Sequence, residues 1–270
     1  YEGMRMCRFL AYSGSPVWLD TLLIEPESSL ISQSLAAREA KTVVNGDGCG
    51  IGWYGERPEP GIYRGILPAW SDRNLTSLCH QIRAGMFLAH VRSATTGGVS
   101  MANCHPFGFG RHLFMHNGQI GGYEKVKRAI EAHISDDVYC SRAGNGDSEA
   151  MFLIAAGLGL DKDPVDALSR TIEICMDVVL DAGVDQPIRF SAIHADGDTL
   201  HAFRWSSDAR PPTLYWRNMG EGIAIASEPF GTGGEMWEII PANTVATVTK
   251  GKIEFKPFTP YYRDAVLMTA

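Results

Sequence analysis

Short alternating apolar runs crowd both ends of this chain, and longer helical patterns fill the stretch between them. A period of two marks a half-buried strand, and a period of 3.6 marks an amphipathic helix. Strand-like runs cover residues 7–12, 50–55 and 62–67, while 28–38 and 72–83 carry helical spacing with Ser28 or Ser29 and Asp72 suited to the N-caps. Residues 86–91 and 113–116 are short apolar runs ending in polar chemistry, the pattern of core strands that deliver side chains to a sheet edge. Helices are predicted over 123–133, 148–158 and 164–182, the last opened by Pro164 at its first helical position. Strands return at 189–194, 199–205, 213–216, 222–226, 244–249 and 252–255. Strands, then helices, then strands again predict an α+β protein rather than a repeated βαβ unit.

No Pro/Ser-rich linker or internal repeat divides the 270 residues, and Asp161-Lys162-Asp163-Pro164 reads as a helix–helix connection, so one domain is expected. A formal charge of −7 argues against a nucleic-acid partner, which needs clustered Lys and Arg. The longest apolar run, 151–160, falls well short of the ~20 residues of a membrane span. The first residues lack a basic stretch followed by an apolar one, so no signal peptide is expected. The cysteines at 7, 49, 79, 104, 140 and 175 are scattered without a C-x-x-C pair, which suits a reducing cytoplasm. All except Cys7 read as buried small hydrophobes.

Cys7 directly follows Met6, so removal of the preceding residues would make it the mature N-terminus. A terminal cysteine carries a thiol of pKa about 8.5 beside an α-amine of about 7.7–8.0, and the amine can take the thiol proton without a histidine. Tyr1-Glu2-Gly3 reads as part of a tag or processed segment over residues 1–6, with Met4 or Met6 as initiator. Further along come His90-Val91-Arg92-Ser93-Ala94-Thr95, Asn103-Cys104-His105-Pro106-Phe107, His116-Asn117-Gly118 and Gly146-Asp147-Ser148-Glu149. Taken alone, Asn117-Gly118 is a turn signal, Asp147 is a helix N-cap, Arg92 is a strand-end ion pair, and Cys7 is a buried strand cysteine. His105, His112 and His116 match no standard zinc spacing, and no metal site is expected. His105 and His116 read as structural hydrogen-bonding groups. The glycine-rich segment Asp47 to Trp53 opens a strand, so it is not a phosphate loop.

In this order the segments resemble the class II glutamine amidotransferases of the N-terminal-nucleophile hydrolases, over most of the chain from Cys7 to about Pro241. The resemblance implies a four-layer αββα sandwich, with an amidotransferase domain over 7–260 and a C-terminal tail over 261–270. It implies Cys7 as nucleophile, Asn117 and Gly118 as the oxyanion hole, Arg92 assisted by Thr95 on a substrate α-carboxylate, and Asp147 on the α-ammonium. It calls for no cofactor. The expected substrate is a small γ-glutamyl compound, and the expected reaction is hydrolysis of its amide through a thioester. Stand-alone types are the nearest likeness, including predicted amidotransferases, the glutathione-degrading subunit and the ergothioneine-pathway γ-glutamyl hydrolase; Pro68-Ala69-Trp70-Ser71-Asp72 strengthens that likeness. Synthase-linked members usually carry Trp and His where this chain has Ser93 and Thr96, a change that reshapes the pocket. The alternative is a catalytically silent binding or regulatory subunit, and a homodimer or partner subunit is left open.

Overall fold

The computed structural model describes residues 7–35, 45–93, 98–231 and 236–261. The chain runs through β1 (Arg8–Trp18), α1 (Asp20–Leu23), α2 (Leu30–Leu35), β2 (Cys49–Trp53), β3 (Gly61–Gly65), α3 (Arg73–Gln81) and β4 (Arg83–Val91). Then follow β5 (Phe107–Phe109), β6 (His112–Gln119) and the helices α4 (Tyr123–Glu131), α5 (Asp136–Tyr139), α6 (Asp147–Gly157) and α7 (Pro164–Asp181). The last part holds β7 (Arg189–Ala195), β8 (Thr199–Ser206), β9 (Tyr215–Asn218), β10 (Gly222–Ala226), β11 (Glu238–Ile239), β12 (Thr244–Thr249) and β13 (Lys252–Pro257). One sheet has the order β11-β9-β10-β1-β4-β2-β3 and the other β13-β12-β8-β7-β6-β5, and the strand pairs are antiparallel.

Period-two alternation in the strands sorts the apolar residues into three layers. Leu10, Tyr12, Phe87 and Ala89 face outward from the first sheet onto Leu22, Leu23, Leu75 and Cys79 of α1 and α3. Their neighbours Phe9, Ala11, Met86 and Leu88 face inward and meet Leu113, Met115, Ile193 and Ala202 of the second sheet. Phe114, Phe190 and Phe203 face the opposite way, onto Phe152, Ile154, Ile172 and Val179 of α6 and α7. Helices, sheet, sheet, helices: the fold is the four-layer αββα sandwich. Residues 147–155 of α6 are buried without interruption, as expected of a helix enclosed on all sides.

Local rules account for several boundaries. The Asp72 carboxylate accepts from Asn74 N and Leu75 N at 3.0 and 3.1 Å and starts α3. Asp163 does the same for α7, with Pro164 in its first turn. The expected helix over 28–38 is present as α2, and its last residues lie outside the described ones. Three readings are corrected. Asn117 and Gly118 lie inside β6, paired with Ser191 and Phe190, rather than in a turn. Asp147 is the first residue of α6, after the N-cap position held by Gly146, which makes no side-chain cap. Cys140 is exposed, whereas Cys49, Cys79, Cys104 and Cys175 are buried.

Candidate active site

The inward faces of three strands each run apolar and then end, at the same edge of the sandwich, in a polar side chain. On β1 the series is Ala11, Phe9 and then Cys7; on β4 it is Met86, Leu88, His90; on β6 it is Leu113, Met115, Asn117. Pairing of Arg8 with Val91 sets Cys7 across from Arg92 one step further along the ladder. The site is thus a consequence of register and of sheet packing, with residues far apart in sequence delivered to one edge of the sandwich.

Cys7 is part-buried, and its Sγ has two partners on one residue: the Ser93 amide donates to it at 3.3 Å, and the thiol faces the Ser93 carbonyl oxygen at 3.4 Å. Asn117 Nδ2 donates to the Cys7 carbonyl at 2.8 Å. Burial pushes the Cys7 thiol pKa up, opposed by the Ser93 N–H and by the Arg92 and Arg8 guanidiniums, while the Asp47 charge adds to the rise. The thiol therefore needs a base to ionise near neutral pH. Arg8 reaches both the Cys7 carbonyl, with Nη1 at 3.2 Å, and the Glu228 carboxylate, with Nε at 2.5 Å. Ser227 Oγ accepts from Phe9 N at 3.0 Å, so β1 is held in place on either side of its first residues.

Arg92 is buried, and its backbone continues the β2–β4 ladder: Arg92 N donates to Gly48 O at 2.8 Å and Asp47 N donates to Arg92 O at 3.1 Å. Its Nη1 donates to Gly98 O at 3.4 Å. Gly98 O also accepts from Asn103 Nδ2 at 3.2 Å, and Asn103 bonds Asn145 N and Asn145 Oδ1 at 2.9 Å each. This relay ties the Arg92 segment to the loop that enters α6 at Asp147. Glu149 accepts from Gly144 N at 2.8 Å and pairs with Arg142 at 2.6 Å, which shapes the same loop.

Asp147 is buried, with Oδ2 accepting from Ile120 N at 2.9 Å and Oδ1 from Ser148 N at 2.8 Å. Gly118 has no room for a side chain, because a Cβ there would lie 1.9 Å from Arg189 O and 2.5 Å from His116 Nε2. His116 serves as structural cement: Nε2 donates to Arg189 O at 3.1 Å and Nδ1 accepts from Ser148 Oγ at 2.9 Å. His105 departs from expectation. Its two ring nitrogens have no hydrogen-bond partner among the described residues, and its ring packs on His90 at 4.2 Å and edge-on to Phe107 at 4.6 Å. Thr95 lies outside the described residues.

Cys7, Arg92 and Asn117 thus converge directly, Gly118 follows Asn117 on β6, and Asp147 joins through Ile120 and the Asn103 relay. Sequence reasoning gave no role to the His90 side chain, the Ser93 backbone or the Arg8–Glu228 pair. The signal for His90 was present, since it ends the inward alternation Met86, Leu88, His90. Among the described residues, no group of His, Cys, Asp or Glu is arranged to hold a metal ion, and no helix is long and apolar enough to cross a membrane.

The family model for the class II glutamine amidotransferases matches residues 22–209. The chain is 30% identical to the probable glutamine amidotransferase DUG3 of Saccharomyces cerevisiae, over 96% of this chain and 86% of that one. It is 28% identical to the gamma-glutamyl-hercynylcysteine sulfoxide hydrolase of Mycolicibacterium smegmatis, over 93% of this chain and 100% of that one. Among solved structures, a glutamine aminotransferase class-II domain protein from Silicibacter pomeroyi superposes with a TM-score of 0.76 at 35% identity, covering 94% of this chain and 100% of the other. Glutamine phosphoribosylpyrophosphate amidotransferase from B. subtilis shares the fold at a TM-score of 0.63 and 13% identity, over 94% of this chain and 50% of the other.

Proposed function

Because this chain belongs to the class II glutamine amidotransferases, an enzyme family, we propose that it hydrolyses a γ-glutamyl amide through a thioester on Cys7. Glutamine would yield glutamate and ammonia; another γ-glutamyl compound would yield glutamate and its amine. The observation that carries this reading is the meeting of the Cys7 thiol, the Ser93 amide and the Asn117 side chain at one edge of the sandwich.

Once freed, the Cys7 α-amine takes the thiol proton, and the sulfur attacks the substrate δ-carbonyl carbon. The oxyanion takes hydrogen bonds from Asn117 Nδ2, which has a second N–H beside the one given to Cys7 O, and from the Gly118 amide. The α-ammonium returns its proton to the departing nitrogen as the tetrahedral centre collapses. Water, deprotonated by the same amine, then opens the thioester and releases glutamate. Arg92 and Asp147 hold the zwitterionic end, the Asp147 carboxylate being oriented by the backbone N–H groups of Ile120 and Ser148.

A histidine base is a poor substitute. No ring nitrogen hydrogen bonds to Cys7 Sγ among the described residues. Burial lowers the pKa of His90 to about 3, that of His105 well below its ordinary value, and that of His116 as well. Such rings take up protons weakly at neutral pH.

The test pairs intact-mass analysis with glutamate release from glutamine and a panel of γ-glutamyl amides. Chains beginning at Cys7 are expected to turn over, and chains retaining residues 1–6 are expected to be silent. Equal activity in both forms would remove the amine from the mechanism. Arg92→Ala is expected to raise KM by about 10²-fold, the scale of a lost charged hydrogen bond of about 3 kcal/mol. An unchanged KM would take Arg92 off the substrate.

A further inference from the structure

We propose that His90 is a positioning residue that locks the Asn117 side-chain amide with its N–H edge toward Cys7. The inference rests on the cysteine reading above and adds a group to it. His90 Nε2 lies 3.3 Å from Asn117 Oδ1. An amide oxygen only accepts, so Nε2 must carry the ring proton and donate it. The other edge of the amide is held by the Nδ2 bond to Cys7 O at 2.8 Å. A flipped amide would set Oδ1 against the Cys7 carbonyl, a contact between like groups, and would oblige the His90 ring to move its proton to Nδ1, which has no partner among the described residues. The orientation is therefore fixed from both ends, and it is the orientation that presents N–H groups to an oxyanion.

His90 is itself fixed. Its backbone pairs with Phe9 of β1 and Gly50 of β2, so the strand cannot slide. Its ring is buried and packs on His105, which in turn stands edge-on to Phe107. With no hydrogen-bond partner for its nitrogens among the described residues, His105 acts as a flat wall behind His90. The chain Phe107, His105, His90, Asn117 thus connects the Asn103-to-Phe107 motif to the nucleophile through ring packing and two hydrogen bonds.

The experiment is a double-mutant cycle on enzyme beginning at Cys7, with glutamate release from the best γ-glutamyl amide as readout. His90→Phe is expected to lower kcat about 10–100-fold, the scale of a misaligned catalytic group, with KM held within about threefold. His90→Gln, which can donate an N–H to Oδ1, is expected to recover part of that loss. In an Asn117→Ala background His90→Phe should cost nothing more, because its only route is through Asn117. A kcat within about twofold of wild type, a loss confined to KM, or losses that multiply in the double variant would overturn the proposal. Should the Phe variant fail to fold, His90→Met removes the donor at similar volume and enters the same cycle.

Hydrogen exchange at the Asn117 Nδ2 group, followed by NMR on asparagine-labelled protein, reads the same lock without turnover. Loss of the His90 donor is expected to speed that exchange at least about tenfold. Unchanged exchange overturns the positioning role. Faster exchange in a protein that releases no glutamate from any γ-glutamyl amide would keep the lock and remove the proposed reaction instead.

Discussion

Cys7→Ala is expected to reduce glutamate release by about 10⁴-fold or more, the scale on which hydrolases lose rate when the nucleophile is removed. The other thiols offer no replacement. Cys49, Cys79, Cys104 and Cys175 are buried, and burial pushes Cys49 and Cys79 up to about 12. Cys140 is exposed at the C-cap of α5, on none of the three strands that form the site. The fold should be little affected, because Cys7 precedes β1 and the hydrogen-bond partners of its Sγ among the described residues are the Ser93 backbone groups. A melting temperature close to wild type together with undetectable turnover is the expected pair of results. Glutamate release by the alanine variant at the wild-type rate would end the thioester mechanism.

The second large effect falls on stability rather than chemistry. Arg8 and Glu228 form an ion pair whose side chains are each 3% exposed. Glu228→Ala would leave the Arg8 guanidinium buried without its carboxylate, a defect that costs about 3–5 kcal/mol. For a chain of this size that corresponds to a fall of roughly 10 °C in melting temperature. The same pair sits one residue after the nucleophile, and Arg8 also donates to the Cys7 carbonyl. Loss of activity in the Glu228 variant should therefore track unfolding and recover on cooling or on added stabilising osmolyte. A variant that melts with wild type would show that the pair contributes nothing net.

Much of the architecture was legible because local periodicity and capping chemistry agree with it. Asp72 and Asp163 begin their helices as their side chains dictate, and β10 and β12 occupy the residues that alternation marks. The misreadings share one cause. Asn117-Gly118 is a turn signal over a few residues, yet long-range pairing with Ser191 and Phe190 holds it extended. Asp147 has the chemistry of a cap, but its carboxylate is claimed by Ile120 N, just after β6, and by the next amide. His105 was assigned hydrogen bonds that its residue type favours, and its neighbours turned out to be aromatic rings. His90 was named within its motif but given no role, because its partner is 27 residues away in sequence.

By itself the amino-acid order determined the strand and helix periods, the inward and outward faces, and the set of motifs that mark the family. Those features are written within a few residues of one another, where backbone geometry and side-chain type suffice. Only the tertiary structure decided that β1, β4 and β6 meet at one edge of the sandwich, so that Cys7, Arg92 and Asn117 come together across the two sheets with His90 behind them. Register between distant strands is set by packing the two inward apolar faces against each other, and no local stretch of the chain contains that information.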